Sequence, residues 1–182
     1  MALQRNGSLR AGNSGNGRVP AKQSDGARVY VFLDFDGVLR RLSSRPFRFD
    51  PDCQERFEGV LREYPHARVV IASIWRLGLS LDALRKMFSP DIAPRIVGVT
   101  PEAPGLVKHY RLREVLGYLK RHGADDAPWL IVDDNRAQYP EGVKVVPTEP
   151  QQGFDARAAA ALSLELGVPR GFSGVAETVA SA

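Results

Sequence analysis

Residues 30–39 read YVFLDFDGVL, an apolar run broken by two aspartates one residue apart and closed by a glycine. A strand this rich in Val, Phe and Leu is buried on both faces, so its body has no place for charge. Asp34 and Asp36 stand where the run ends, and the two-residue period of an extended chain directs both carboxylates to one side. Gly37 lets the chain turn sharply behind them. Two like charges held this close repel, so a positive partner is expected between them, most simply a hard divalent cation.

Two further apolar runs end in polar groups. Arg68-Val-Val-Ile-Ala-Ser73 closes on a hydroxyl, and Trp129-Leu-Ile-Val-Asp-Asp134 closes on an aspartate pair. Between them, Val107 to His122 reads as a helix with Leu112, Val115, Leu116 and Leu119 on one face and Lys108, Arg111 and Arg113 near its start. Helical spacing is also expected over Pro51–Tyr64 (Phe57, Val60, Leu61, Tyr64), Leu79–Phe88 and Asp155–Leu166, with further strands at Arg95–Val99 and Gly142–Val146. Strands separated by helical stretches indicate an α/β fold with a doubly wound parallel sheet and right-handed crossovers. Ligands of such sheets bind beyond the carboxyl ends of the strands. Endings in Asp-x-Asp, Ser and Asp-Asp would therefore meet in one crevice.

These segments resemble the haloacid dehalogenase-like (HAD) superfamily of phosphoryl-transfer enzymes. Its four signatures are matched in order by Asp34-Phe35-Asp36-Gly37-Val38, Ser73, a basic residue opening a helix, and Asp133-Asp134. Ile71-Ala-Ser-Ile-Trp-Arg76 and Arg111-Leu-Arg-Glu-Val115 are similar to the Ser-x-Trp-Arg and Arg-x-x-Glu-Ile segments of the HAD branch in "Swiss army knife" RNA-repair proteins. The resemblance covers roughly residues 28–148. It implies a Rossmannoid sheet of strand order 5-4-1-2-3. The gaps from Asp36 to Ser73 and from Ser73 to Arg111 are too short for a separate cap domain, so a capless, open site is expected.

The resemblance implies a Mg²⁺-dependent phosphatase working through an aspartyl-phosphate. Asp34, held by the strand end, would be the nucleophile, and Asp36 the general acid and base. Asp34, the Asp36 backbone carbonyl and Asp134 would ligate Mg²⁺, with Asp133 acting through water. Ser73 would hold a phosphoryl oxygen. The balancing cation is Arg111 or Lys108, and Arg76 and Trp75 are candidates to touch substrate. The substrate expected is a phosphorylated macromolecule or nucleic-acid end. A small phosphomonoester, or a non-catalytic module binding an anionic partner, is the alternative. His66, His109 and His122 have no mutual ligand spacing, and Tyr139-Pro140 reads as loop-shaping.

Composition sets outer bounds. A chain of 182 residues suits one domain with a sizeable core. The single cysteine, Cys53, excludes an internal disulfide and suits a reducing compartment such as the cytoplasm. No run approaches the roughly 20 apolar residues of a membrane span. The net charge of +4 is concentrated at the start, where residues 1–28 carry five basic residues against Asp25. Residues 1–27, rich in Gly, Asn and Ser, read as a disordered basic tail, residues 28–170 as the catalytic domain and residues 171–182 as a C-terminal extension. Within the domain, Arg40, Arg41, Arg45 and Arg48 directly follow the first motif and suggest a rim that steers a polyanion. Phe47 and Phe49, interleaved with them, suit either base stacking or anchoring of the loop.

Overall fold

The computed structural model describes residues 28–103 and 108–168. The expected tail (1–27) and extension (171–182) lie outside these residues. Five parallel strands form one sheet: β1 (Val29–Leu33), β2 (Ala67–Ile71), β3 (Ile96–Val99), β4 (Trp129–Asp133) and β5 (Val145–Pro147). Their spatial order is β3-β2-β1-β4-β5, the expected order read from the other edge. β1 is central, with Val31 opposite Val69 of β2 on one side and Leu130 of β4 on the other.

The strand period of two then divides the core. Val31 and Leu33 face one layer, in which Phe57 and Leu61 of α1 (Pro51–Glu63) pack with Leu162 and Leu166 of α4 (Ala156–Gly167). Phe32 faces the opposite layer, built on Leu112, Val115, Tyr118 and Leu119 of α3 (Tyr110–Arg121). A strand sandwiched this way must be apolar until it ends, and its first carboxylate appears one residue after Leu33.

Four local expectations shift. The helix expected over Val107–His122 begins at Tyr110, because His109 takes a left-handed conformation at φ +55°. Leu116 points to solvent, and Tyr118 fills the buried position instead, edge-on to Phe32. The helix expected over Leu79–Phe88 shortens to α2 (Leu81–Arg85), started by Ser80, whose hydroxyl accepts from Ala83 N–H. The fifth strand starts at Val145 rather than Gly142. The described chain between Asp36 and Arg111 holds α1, β2, α2, β3 and short 3-10 turns, and no inserted domain.

Candidate active site

The carboxyl ends of β1 and β4 lie side by side and carry the acids. Asp34 N–H donates to Val132 O, which locks its position against β4. Its Oδ1 accepts from Phe35 N–H at 2.7 Å. Asp133 ends β4, and Asp134 follows it. One carboxylate oxygen from each of Asp34, Asp133 and Asp134 falls within 4.8 Å of the others, an arrangement that could hold a metal ion.

The electrostatics are those of a site short of positive charge. Burial, then the neighbouring Asp133, pushes the Asp34 carboxyl up to about 6, against the pull of Arg111. Burial likewise raises Asp133, and burial followed by Asp34 raises Asp134. A hard dication suits such a donor set, since it removes the repulsion that burial intensifies. The backbone makes room for it. Gly37 turns at φ +73°, and a Cβ there would come within 2.1 Å of Asp134 Oδ2, so only glycine lets this carboxylate approach the β1 end.

Of the two candidate cations, Arg111 is beside the acids and Lys108 is exposed at the surface. Arg111 is buried, with Nη2 3.9 Å from Asp34 Oδ2 and Nη1 donating to Ala72 O. Glu114, one helical turn on, lies 3.4 Å from Arg111 Nη1 and receives Arg76 Nη2 at 2.6 Å. Arg76 differs from its expected position at the substrate. Its side chain is buried, and its remaining donors go to the carbonyls of Thr100, Ala72 and Ser73. Arg76 and Glu114 thus fasten the Ser73 turn to α3 and set where Arg111 reaches. Ser73 Oγ is fully buried and makes no hydrogen bond of good geometry, although it lies near enough to Asp34 to steady its charge.

Asp36 stands apart from the acid trio. Its Oδ1 accepts from Arg40 Nε at 2.5 Å and its Oδ2 from Trp75 Nε1 at 3.0 Å. Each of the two motif aspartates also has an arginine neighbour, Arg111 for Asp34 and Arg40 for Asp36. The arginine run also divides. Arg41 is drawn to Asp52 through both terminal nitrogens, at 2.9 and 2.6 Å, whereas Arg45 and Arg48 are exposed, with no ionic partner among the described residues.

Three contributors carry no signal in the sequence. Tyr139, taken as loop-shaping, is buried and donates its hydroxyl to Asp133 Oδ2 at 2.7 Å; Asn135 N–H donates to Oδ1 at 2.8 Å. Both Asp133 oxygens are thus engaged by the protein, while Asp134 remains half-buried. Thr148, after β5, donates to Gly37 O at 2.8 Å and fixes the turn.

A five-stranded parallel Rossmannoid sheet of this order, with an aspartate trio beyond its central strands, defines an α/β domain of the HAD-like class. The chain belongs to the family described as the HAD domain in Swiss Army Knife RNA repair proteins, whose model matches residues 30–159. Membership suggests a HAD-type phosphatase or hydrolase. Neither a curated protein nor a solved structure shows significant similarity to the chain. Among the described residues, no helix is long and apolar enough to cross a membrane.

Proposed function

We propose that the protein is a Mg²⁺-dependent phosphomonoesterase that works through an aspartyl-phosphate on Asp34 and acts on phosphorylated nucleic-acid ends. The observation that carries this is the buried Asp34, packed between an arginine and two further aspartates at the carboxyl edge of the sheet. Asp34, Asp134 and the Asp36 carbonyl would hold Mg²⁺, which when bound neutralises charge on the phosphoryl oxygens. Asp133 is better placed to orient the site, since both of its oxygens already accept hydrogen bonds.

The chemistry follows from the side chains. A carboxylate oxygen of Asp34 attacks phosphorus, the bond to the leaving oxygen breaks, and Asp36 gives that oxygen its proton. Water then attacks the phosphorus of the aspartyl-phosphate, Asp36 takes a proton from the water, and the Asp34 carboxylate is released with inorganic phosphate. Ser73 and Arg111 hold phosphoryl oxygens throughout. Arg40 and Trp75 each donate to one Asp36 oxygen, which holds the carboxyl in place and leaves each oxygen a further lone pair for the proton it passes. The nucleic-acid preference is supported by the lack of an inserted domain among the described residues, by exposed Arg45 and Arg48, and by the family's description.

The test is a panel of 5′- and 3′-phosphorylated oligonucleotides, phosphopeptides and small esters, assayed with Mg²⁺ for phosphate release. Turnover of oligonucleotide phosphates above the rest supports the proposal. Absence of turnover on every ester removes it.

A further inference from the structure

Beside Asp36 the surface opens into a cleft whose outer wall, Pro46, Phe47 and Ile74, has no part in the proposed hydrolysis. It is lined by Asp36, Arg40, Pro46, Phe47, Ile74 and Trp75, and its volume is about 330 Å³. That is the small end of the roughly 300–1,000 Å³ range of small-molecule sites, suited to one planar ring system. Two of its apolar side chains are ones the fold does not need buried: Phe47 is 68% exposed and Ile74 58%. Phe47 also stands at φ +55°, a conformation in which a bulky residue is an outlier. The loop keeps it there with its ring centroid 5.1 Å from that of Trp75. Trp75 is itself fixed from beneath, stacked on buried Phe49 and edge-on to Phe35. The two phenylalanines of the loop thus have different roles: Phe49 anchors, and Phe47 presents a face.

We infer that this cleft receives the heterocyclic base of a nucleoside whose phosphate lies at Asp34. The inference rests on the proposed phosphatase activity and names its leaving group. Asp34 and Asp36 are two residues apart, so the cleft begins within roughly 7 Å of the phosphoryl site along the chain. It lies on the side of Asp36, the group assigned to protonate the leaving oxygen. An aromatic wall is suited to a π-face and tolerates any base. Arg45 and Arg48, on either side of Pro46 and Phe47, are exposed without an ionic partner among the described residues, which suits the phosphates of an adjoining nucleotide. A phosphoserine would place only an aliphatic stub here, and a phosphotyrosine would leave the arginine pair idle.

The experiment is a binding titration of the full chain carrying Asp34→Asn, in Mg²⁺, followed by quenching of tryptophan fluorescence. The ligands are a dinucleotide phosphorylated at its 5′ or 3′ end, the same molecule made abasic at the phosphorylated residue, and a phosphotyrosyl peptide. The base-bearing dinucleotide should bind roughly 5- to 150-fold more tightly than the abasic one, the range that stacking one base carries. Adding Phe47→Ala should remove that advantage, and adding Phe47→Tyr should keep it. Equal affinity for the base-bearing and abasic ligands overturns the inference, as does an advantage that survives Phe47→Ala or tighter binding of the phosphopeptide. The titration needs no turnover. Loss of the base advantage in a protein whose wild type hydrolyses esters refutes the cleft alone, whereas no turnover on any ester refutes the phosphatase.

Discussion

Replacing Gly37 with alanine is a one-carbon perturbation aimed at the proposed metal site. The added Cβ would lie 2.1 Å from Asp134 Oδ2, 2.5 Å from its Cγ and 2.7 Å from its Cβ, where ordinary contact begins at 3.4 Å. Turning the carboxylate aside is not enough, because Asp134 Cβ is tied to the main chain where β4 ends. The Gly37 turn cannot yield freely either. Its N–H donates to Arg40 O at 2.7 Å and its carbonyl receives Thr148 Oγ1. Asp134 must therefore retreat by more than 1 Å, given the contacts just described. Metal–ligand distances tolerate only about 0.2 Å, so Asp134 should drop out of the ligand set. Displacing even an outer-shell partner weakens metal binding roughly 10–100-fold, and loss of a direct ligand should reach at least that range. The left-handed conformation adds roughly 1–2 kcal/mol of destabilisation for a residue bearing a Cβ. At roughly 2–4 °C per kcal/mol, the melting temperature should fall by several degrees. Initial rates measured across a Mg²⁺ series, beside a thermal melt, test both effects. A folded Gly37→Ala protein with an unchanged Mg²⁺ midpoint would refute the role of Asp134 and of the turn that admits it.

Other outcomes are expected from the same geometry. Asp34→Asn should fold and melt like the wild type yet release no phosphate, because an amide cannot form the acyl-phosphate; full turnover in this variant rejects the nucleophile. EDTA should abolish activity and Mg²⁺ restore it, with Asp134→Ala raising the Mg²⁺ requirement more than Asp133→Ala; the reverse order would exchange their roles. Glu58, buried on α1, accepts from Gln54 Nε2, Ser89 N–H, Ser89 Oγ and Arg62 Nη2. Burial opposes its ionisation, but those hydrogen bonds prevail and its carboxyl sits below the ordinary value of 4.5. Its contribution should therefore be complete above pH ~4.5 and fade as the pH falls through the lowered folded value. Glu58→Gln should lose roughly 1–3 kcal/mol in urea melts at pH 7. Its deficit should shrink below pH ~4, and a deficit that grows there contradicts the assignment.

The parts of this molecule that were legible in the sequence are those with a backbone period. β1 can be read because a strand covered on both faces must be apolar until it ends, and that rule alone puts Asp34, Asp133 and Asp134 at one edge of the sheet. The same logic gave Ser73 and the strand order through the family likeness. What stayed hidden depends on side-chain reach. Nothing local to Tyr139 says that its hydroxyl meets Asp133, and nothing local to Trp75 says that its indole meets Asp36. Arg76 was aimed at substrate because its neighbour Ser73 is in the crevice; the buried Glu114, on another element, turned it away. Leu116 fitted the helical stripe as well as Tyr118, and the larger ring was buried against Phe32. The early start expected for α3 failed at His109, whose positive φ has no compositional signature.

The order of the strands along the chain and across the sheet has a consequence for how the acid trio comes into being. β1 is made early and β4 late, and more than half of the protein separates Asp34 from Asp133. The hydrogen bond from Asp34 N–H to Val132 O closes that whole loop, so the trio cannot form in a partly synthesised chain or in one whose late strand has detached. Loop closure of this length is an entropic cost met before the contacts it allows, which makes β1–β4 pairing a natural late step in folding. Until that step, Asp34 is an ordinary solvated carboxylate. A nascent or damaged chain therefore carries Asp34 without its two partner carboxylates, and the acid cluster arrives with the last central strand.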